Sequence, residues 1–265
     1  MQYMGLIQGC DQAGNNPSVR AAARPLANGT QLDQRNARIQ RLPLFLGISS
    51  AECREIFSVA HDKVFLRRQR IFMQGDPGGQ VILLTSGSAK TTQLGQDGTE
   101  VILRLSGPGD LVGEAGLGSV RLHRSTACTL GPSEAFVWET TVFDSFLKRF
   151  PILRYNVSRM LGGQLMELEE RFREISTESV SMRLSHELVR LANRFGERVN
   201  GAVKIRLSLE ELAQLTGTTL FTVSRQLSRW KVDGIVSTGR RAVMVHNPQA
   251  LAELSERDSC FPPGR

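Results

Sequence analysis

Hydrophobic positions change their spacing twice along this chain. From Val64 to Glu139 they come in short runs: Val64-Phe65-Leu66, Ile71-Phe72, Val81-Ile82-Leu83-Leu84, Val101-Ile102-Leu103 and Ala135-Phe136-Val137-Trp138. Glycine-rich turns part them, among them Gly75-Asp76-Pro77-Gly78-Gly79, Ser86-Gly87-Ser88 and Gly107-Pro108-Gly109-Asp110. Short strands joined by such turns predict a compact antiparallel barrel or jelly roll. Asp97-Gly98 is the sharpest hairpin signal, because glycine tolerates the positive φ that a two-residue turn requires. Before this region, a helix is expected over Ser49–Ala60, with Ser49 or Ser50 as its cap and Cys53, Ile56 and Phe57 facing inward.

After Phe150-Pro151 the period becomes helical. Val157, Leu161, Leu165, Leu168, Phe172 and Ile175 recur at steps of three and four and draw one apolar seam along a helix of about 25 residues. Glu167, Glu169, Glu170, Arg171, Arg173 and Glu174 line its flanks. Such a helix packs either on its own domain or against the same helix of a second protomer. The narrow seam and charged flanks favour the dimer. Ser176-Thr177-Glu178-Ser179 breaks the pattern and caps a new helix carrying Leu184, Leu188, Leu191 and Phe195, with Gly196 as its stop. Val203, Ile205 and Leu207 then alternate with Lys204 and Arg206 as a half-exposed strand would.

Ser208-Leu209-Glu210-Glu211 fits a capping box, and Leu209, Leu212, Ala213 and Leu215 give the helix it starts an inward face. Gly217 can stop that helix in the left-handed conformation, and Thr219 can cap a second one running to about Val232 with Val223, Leu227 and Trp230 inward. Two short helices around a glycine turn predict a helix-turn-helix. Ile235-Val236 and Ala242–His246, around Ser237-Thr238-Gly239-Arg240-Arg241, would then be a wing with a basic tip. The second helix would show Thr219, Leu220, Phe221, Thr222, Ser224, Arg225, Ser228 and Arg229 outward. Hydroxyls at a helix start suit phosphate contacts, and the planar fork of Arg225 can take guanine O6 and N7 together.

Charge sharpens that picture. Thirty-three Lys and Arg against 26 Asp and Glu give +7 over 265 residues. Between Gly201 and Gln249 seven basic residues (Lys204, Arg206, Arg225, Arg229, Lys231, Arg240, Arg241) face three acidic ones (Glu210, Glu211, Asp233), which places +4 of the excess there. Double-stranded DNA is the partner this favours. The four cysteines, Cys10, Cys53, Cys128 and Cys260, are scattered without a Cys-x-x-Cys pair. A disulfide framework is therefore not expected, and a reducing cytoplasm is. No apolar run reaches the roughly 18 residues of a membrane span, so no membrane partner is expected.

Over residues 41–250 the chain resembles the CRP/FNR family of bacterial transcription regulators. Three motifs carry the resemblance: Gly109-Asp110-Leu111-Val112-Gly113-Glu114-Ala115-Gly116-Leu117; Arg124-Ser125-Thr126-Ala127; and Leu212-Ala213-Gln214-Leu215-Thr216-Gly217 followed by Thr222-Val223-Ser224-Arg225-Gln226-Leu227. It implies an α+β fold: an N-terminal antiparallel β-roll (41–150), a long dimerisation helix (151–176) and a C-terminal winged helix-turn-helix (177–250), between a flexible tail (1–40) and a C-terminal tail (251–265). It also implies a homodimer on a palindromic operator, with RNA polymerase as a further partner. CAP, one family member, is an established example of that docking.

By the same resemblance, Arg124 and Ser125 would hold the phosphate of a cyclic nucleotide (cAMP or cGMP), Glu114 its ribose hydroxyl, and Gly113 would let backbone approach it. The chemistry is apt, since arginine gives charge-assisted bonds to phosphate and a carboxylate only accepts. Met166, Glu167 and Leu168, however, stand where cAMP-responsive members place Thr and Ser, so another cyclic nucleotide, a different effector or none stays open. Scattered cysteines argue against an iron–sulfur cluster. His61, His123, His186 and His246 form no haem or metal set, and His123 is expected at the surface or the pocket rim. Leu220-Phe221 replaces the Arg-Glu of the best-known members, which points to contacts with thymine methyls. The alternative function is a cyclic-nucleotide module governing an enzyme or channel, and a third is a cupin-like metalloenzyme. A catalytic site is not expected, for lack of a His/Glu cluster at workable spacing.

Overall fold

The computed structural model describes residues 39–113 and 122–257. Its described residues fall into two compact units, one ending at Gln93 and resuming over Arg104–Leu165, the other made of Leu94–Leu103 and the chain from Met166 onward.

The first unit opens with a 3-10 turn at Pro43–Phe45 and helix α1 (Ser50–Ser58). Ser49 caps α1: its hydroxyl accepts from the Glu52 amide while the Glu52 carboxylate accepts from the Ser49 amide, a complete capping box. Eight strands follow along the chain, with the end of β4 and the start of β5 falling in the second unit: β1 (His61–Phe65), β2 (Arg70–Phe72), β3 (Gln80–Ser86), β4 (Ala89–Leu94), β5 (Glu100–Ser106), β6 (Leu111–Val112), β7 (Thr126–Thr129) and β8 (Ser133–Glu139). They form two four-stranded sheets, ordered β1-β8-β3-β6 and β2-β7-β4-β5, the expected antiparallel roll. The unbroken apolar run of β3 is explained by its two covered faces. Val81 and Leu83 enter one core cluster, Ile82 and Leu84 the other. Trp138 is fully buried in the first cluster, and its indole N–H donates to the Ile56 carbonyl at 2.8 Å.

Two features differ from expectation here. The β4–β5 hairpin turns through a five-residue loop, Gly95–Thr99, closed by Gly95 N–H to Thr99 C=O at 2.8 Å. Gly98 supplies the positive φ (+82°), but Asp97 accepts from the Thr99 amide and hydroxyl, which lengthens the turn beyond two residues. Helix α2 (Thr140–Arg149), with Phe143 and Phe146 buried, follows β8 directly and was hidden in the pattern by that immediate change of period.

Helix α3 (Pro151–Thr177) carries the apolar seam. Val157 lies inside the first unit's own core with Leu161 packed against it, so this end of the expected dimer seam is already covered within one chain. Leu165, Leu168, Phe172 and Ile175 are exposed, Phe172 by 72%.

Helix α4 (Val180–Phe195) begins at Ser179, whose hydroxyl accepts from the Met182 amide. Gly196 follows it, but with φ −72° rather than in the left-handed region. Its glycine is required by space instead, because a Cβ would stand 2.2 Å from the Ala192 carbonyl oxygen and 2.3 Å from Val203. Strands β9 (Glu197–Val199) and β10 (Ala202–Ile205), helices α5 (Leu209–Thr216) and α6 (Leu220–Val232), and strands β11 (Val236–Gly239) and β12 (Ala242–Val245) complete a winged helix-turn-helix, with sheet order β11-β12-β10-β9. Residues Pro248–Arg257 form helix α7 where a tail was expected after 250. Leu251 is buried, and its carbonyl accepts from the Ser185 hydroxyl.

The turn between α5 and α6 forms as the sequence requires. Ser208 and Glu211 close a capping box, Gly217 adopts φ +61° with its N–H on the Ala213 carbonyl, and the Thr219 hydroxyl accepts from the Thr222 amide. Beneath it, the buried Arg171 donates to the carbonyls of Leu215 (3.0 Å) and Leu103 (3.0 Å), with Glu187 at 3.8 Å.

Two stability predictions follow from these contacts. Arg171→Ala leaves two carbonyls without their donor, while Glu187 keeps Arg190, and should cost about 2–3 kcal/mol in urea unfolding. Thr219→Ala removes one cap and should cost only about 1 kcal/mol in the same assay.

Candidate nucleic-acid interface

Helix α6 has two chemically different faces. Val223, Leu227 and Trp230 are buried, one turn after another, and hold the helix on its unit. Thr219, Leu220, Phe221, Ser224, Arg225, Ser228 and Arg229 are exposed and Thr222 is half-buried, the arrangement expected of this helix. An exposed Phe221 (73%) beside an exposed Leu220 (51%) leaves apolar surface in water that the unit's own packing does not use. Three hydroxyls serve locally: Thr219 Oγ1 is 2.9 Å from Thr222 Oγ1, and Ser228 donates to the Ser224 carbonyl.

The basic residues are not equivalent. Arg206 is held by Glu197 through two bonds of 2.8 Å, which keep that carboxyl below its ordinary range. Arg241 reaches the Glu211 carboxylate at 3.5 Å from a backbone with φ +55°. Among the described residues no carboxylate pairs with Arg225, whose guanidinium lies 5.8 Å from the centroid of the Phe221 ring. Arg240 is exposed at the wing tip, in the two-residue turn between the paired Gly239 and Ala242. Helix start, arginine fork and basic wing therefore form an anion-facing surface with an apolar centre.

The predicted effector residues are only partly described. Glu114 lies outside the described residues. Gly113 has φ +89°, and a Cβ there would meet the Phe72 ring at 3.0 Å. Arg124 is exposed, with its carbonyl accepting from Gln93 at 2.9 Å, and Ser125 is buried. His123, expected at a rim, is instead buried, its ring stacked on Phe72 with centroids 3.7 Å apart. No periodic pattern announces that stack, which joins residues 51 positions apart. Thr91, opposite Ala127 in the β4–β7 register, has a buried hydroxyl without a hydrogen-bond partner among the described residues. A buried hydroxyl without a partner is open to a polar ligand.

One His/carboxylate group lies within metal-binding reach among the described residues: Glu174, Glu178 and His186. Its carboxylates already face arginines, Glu174 taking Arg190 (2.8 Å) and Glu178 taking Arg173 (3.0 Å). Ion pairing accounts for the cluster. No helix among the described residues is long and apolar enough to cross a membrane.

Comparison with known proteins agrees with both halves of the chain. A cyclic nucleotide-binding domain model matches residues 62–150, and a Crp-like helix-turn-helix domain model matches residues 182–254. The chain is 27% identical to the cyclic AMP receptor protein of Thermus thermophilus, over 80% of this chain and 96% of that one. It is 25% identical to a CRP-like cAMP-activated global transcriptional regulator of Mycobacterium tuberculosis, over 81% and 96%. In fold it is similar to the c-di-GMP responsive global regulator CLP of Xanthomonas campestris, with a TM-score of 0.66 at 20% identity over 75% of this chain and 99% of that one. The helix-turn-helix match disfavours a cyclic-nucleotide module acting on an enzyme or channel, since such a module has no use for a DNA-reading helix. With roll, long helix and wing in the same order as in these relatives, the chain belongs to the CRP/FNR family of DNA-binding transcription regulators.

Proposed function

We propose that the protein is a cytoplasmic homodimer that binds a palindromic operator with one α6 in each major groove and acts as a regulator rather than a catalyst. The observation that carries this reading is the solvent-facing ridge of α6, where Leu220, Phe221, Ser224 and Arg225 are exposed together above a fully buried inner face. Thr219, Thr222, Ser228, Arg229 and Arg240 flank that ridge as phosphate contacts, and Arg225 reads guanine. Self-association uses the exposed part of the α3 seam, Leu165, Leu168, Phe172 and Ile175, while Val157 and Leu161 anchor the helix to its own roll. Two such helices would cover apolar surface that one chain leaves in water. RNA polymerase is the partner implied once the dimer sits at a promoter.

The roll serves as the effector domain. We place a cyclic nucleotide phosphate at Arg124 and Ser125, its sugar at Glu114, with Gly113 allowing close approach. Relatives named for cyclic AMP support the class, and the unpartnered Thr91 hydroxyl supports a polar occupant. Binding would bias the presentation of the two α6 helices as a population shift.

In a gel-shift titration against a selected duplex, the logarithm of affinity should fall linearly with the logarithm of salt, and Arg240→Ala, which removes one phosphate contact from each protomer, should lower that slope by about 2. Arg225→Ala should cost about tenfold or more and relax the preference for guanine. Absence of salt-dependent duplex binding would refute the DNA assignment. For the effector, cAMP or cGMP at a hundredfold excess over its Kd should stabilise the protein by about 2.7 kcal/mol, read as a rise in Tm that Arg124→Ala removes. If no cyclic nucleotide moves Tm, the effector placement is wrong while the DNA assignment stands.

A further inference from the structure

We infer that Phe221 and Arg225 act as one reading element for a 5-methylpyrimidine followed by guanine on the same strand, with Phe221 also positioning the Arg225 guanidinium. The inference rests on the DNA-reading role proposed for α6 and adds the base step it selects.

The two residues are four apart on α6, so they share one face of the helix. The guanidinium carbon lies 5.8 Å from the ring centroid, within the roughly 6 Å range of cation–π attraction. Stacking occupies the flat face of a guanidinium and leaves its N–H edge outward, and that edge takes guanine O6 and N7. No carboxylate among the described residues competes for Arg225, whereas Arg206 and Arg241 are each held by one. The ring therefore does for Arg225 what an acidic partner does elsewhere, without cancelling its charge.

Phe221 is 73% exposed, so most of its ring has no cover within the chain. In the major groove the apolar group a base offers is the C5 methyl of thymine, which 5-methylcytosine also carries. Successive bases on a strand are about 3.4 Å apart, so that methyl stands beside the O6/N7 edge of the next guanine. A ring and a fork within cation–π range on one helix face match a methyl and a guanine edge that are neighbours in one groove. Leu220, also exposed, extends the apolar contact on the same turn.

The test uses the full-length protein and duplexes selected from random DNA. In the best duplex, the thymine before the guanine is replaced by deoxyuracil, which keeps base pairing and removes only the methyl. Separately, cytosine and 5-methylcytosine are compared at that position. Wild type should bind the deoxyuracil duplex about fourfold more weakly, and 5-methylcytosine about fourfold more tightly than cytosine, the ratio expected for one buried methyl. Phe221→Ala should abolish both ratios and also blunt the loss caused by replacing the guanine with 7-deazaguanine. Phe221→Tyr should restore them. Because Phe221 is exposed, thermal melts of these variants should match wild type. Indifference of wild type to the methyl, or methyl dependence that survives Phe221→Ala, overturns the inference while leaving DNA binding intact. Selection of no duplex at all overturns the DNA reading and this inference with it.

Discussion

Two guanidinium groups set among buried carboxylates fix the geometry of the second unit. Arg171 joins the end of α3 to the last turn of α5 and to Glu187 of α4, while Arg190 of α4 grips Glu174 of α3 and Glu187 on its own helix. Desolvation pulls Arg190 down, yet the hydrogen bonds it donates to Glu174 and the charge of Glu187 together outweigh it and raise it above its ordinary range. Burying these charges would be ruinous unless each were partnered, and each is. Such a lattice contributes modest stability but strong specificity of arrangement. Shifting α4 along α3 would unpair several groups at once, so α5, and α6 after it, inherit one orientation.

That rigidity gives meaning to the charge distribution around α6. A count of basic residues treats Arg206, Arg225 and Arg241 alike. In the fold, Glu197 and Glu211 hold two of them, so the third, with Arg229 and the wing-tip Arg240, carries the surface's potential for an anionic partner. Acidic residues thus organise the interface by withdrawing arginines from it. Exposed apolar side chains occupy the centre that remains. Backbone phosphates attract such a surface generally, while sequence is discriminated by what lies in its middle.

Local rules were readable in the sequence, and long-range ones were not. The capping boxes at Ser49 and Ser208, the left-handed Gly217 and the Thr219 cap involve residues within four of one another, and each formed as the residue types dictate. The roll's strands were legible because turns punctuate them. Helices α2 and α7 were missed where no loop separated them from neighbouring elements or where a short amphipathic segment followed a wing. Contacts between residues far apart in sequence leave no periodic trace, so neither the burial of His123 against Phe72 nor the role of Arg171 could be anticipated. Gly196 was rightly placed at a helix end for the wrong reason: crowding by Ala192 and Val203, rather than φ, requires it. On α6, side-chain types named the outward face correctly, while the contact between Phe221 and Arg225 needed coordinates.

The chain's two tryptophans are divided between its units. Trp138 is sealed in the roll beneath α1, and Trp230 is buried under the outward ridge of α6. Each is anchored through its own backbone or indole, Trp230 by accepting from the Ile235 amide at 2.9 Å and Trp138 by donating to Ile56. Intrinsic fluorescence consequently resolves into one emitter per unit. Replacing either indole with phenylalanine leaves a molecule whose remaining emission follows the melting of a single half, without any added label.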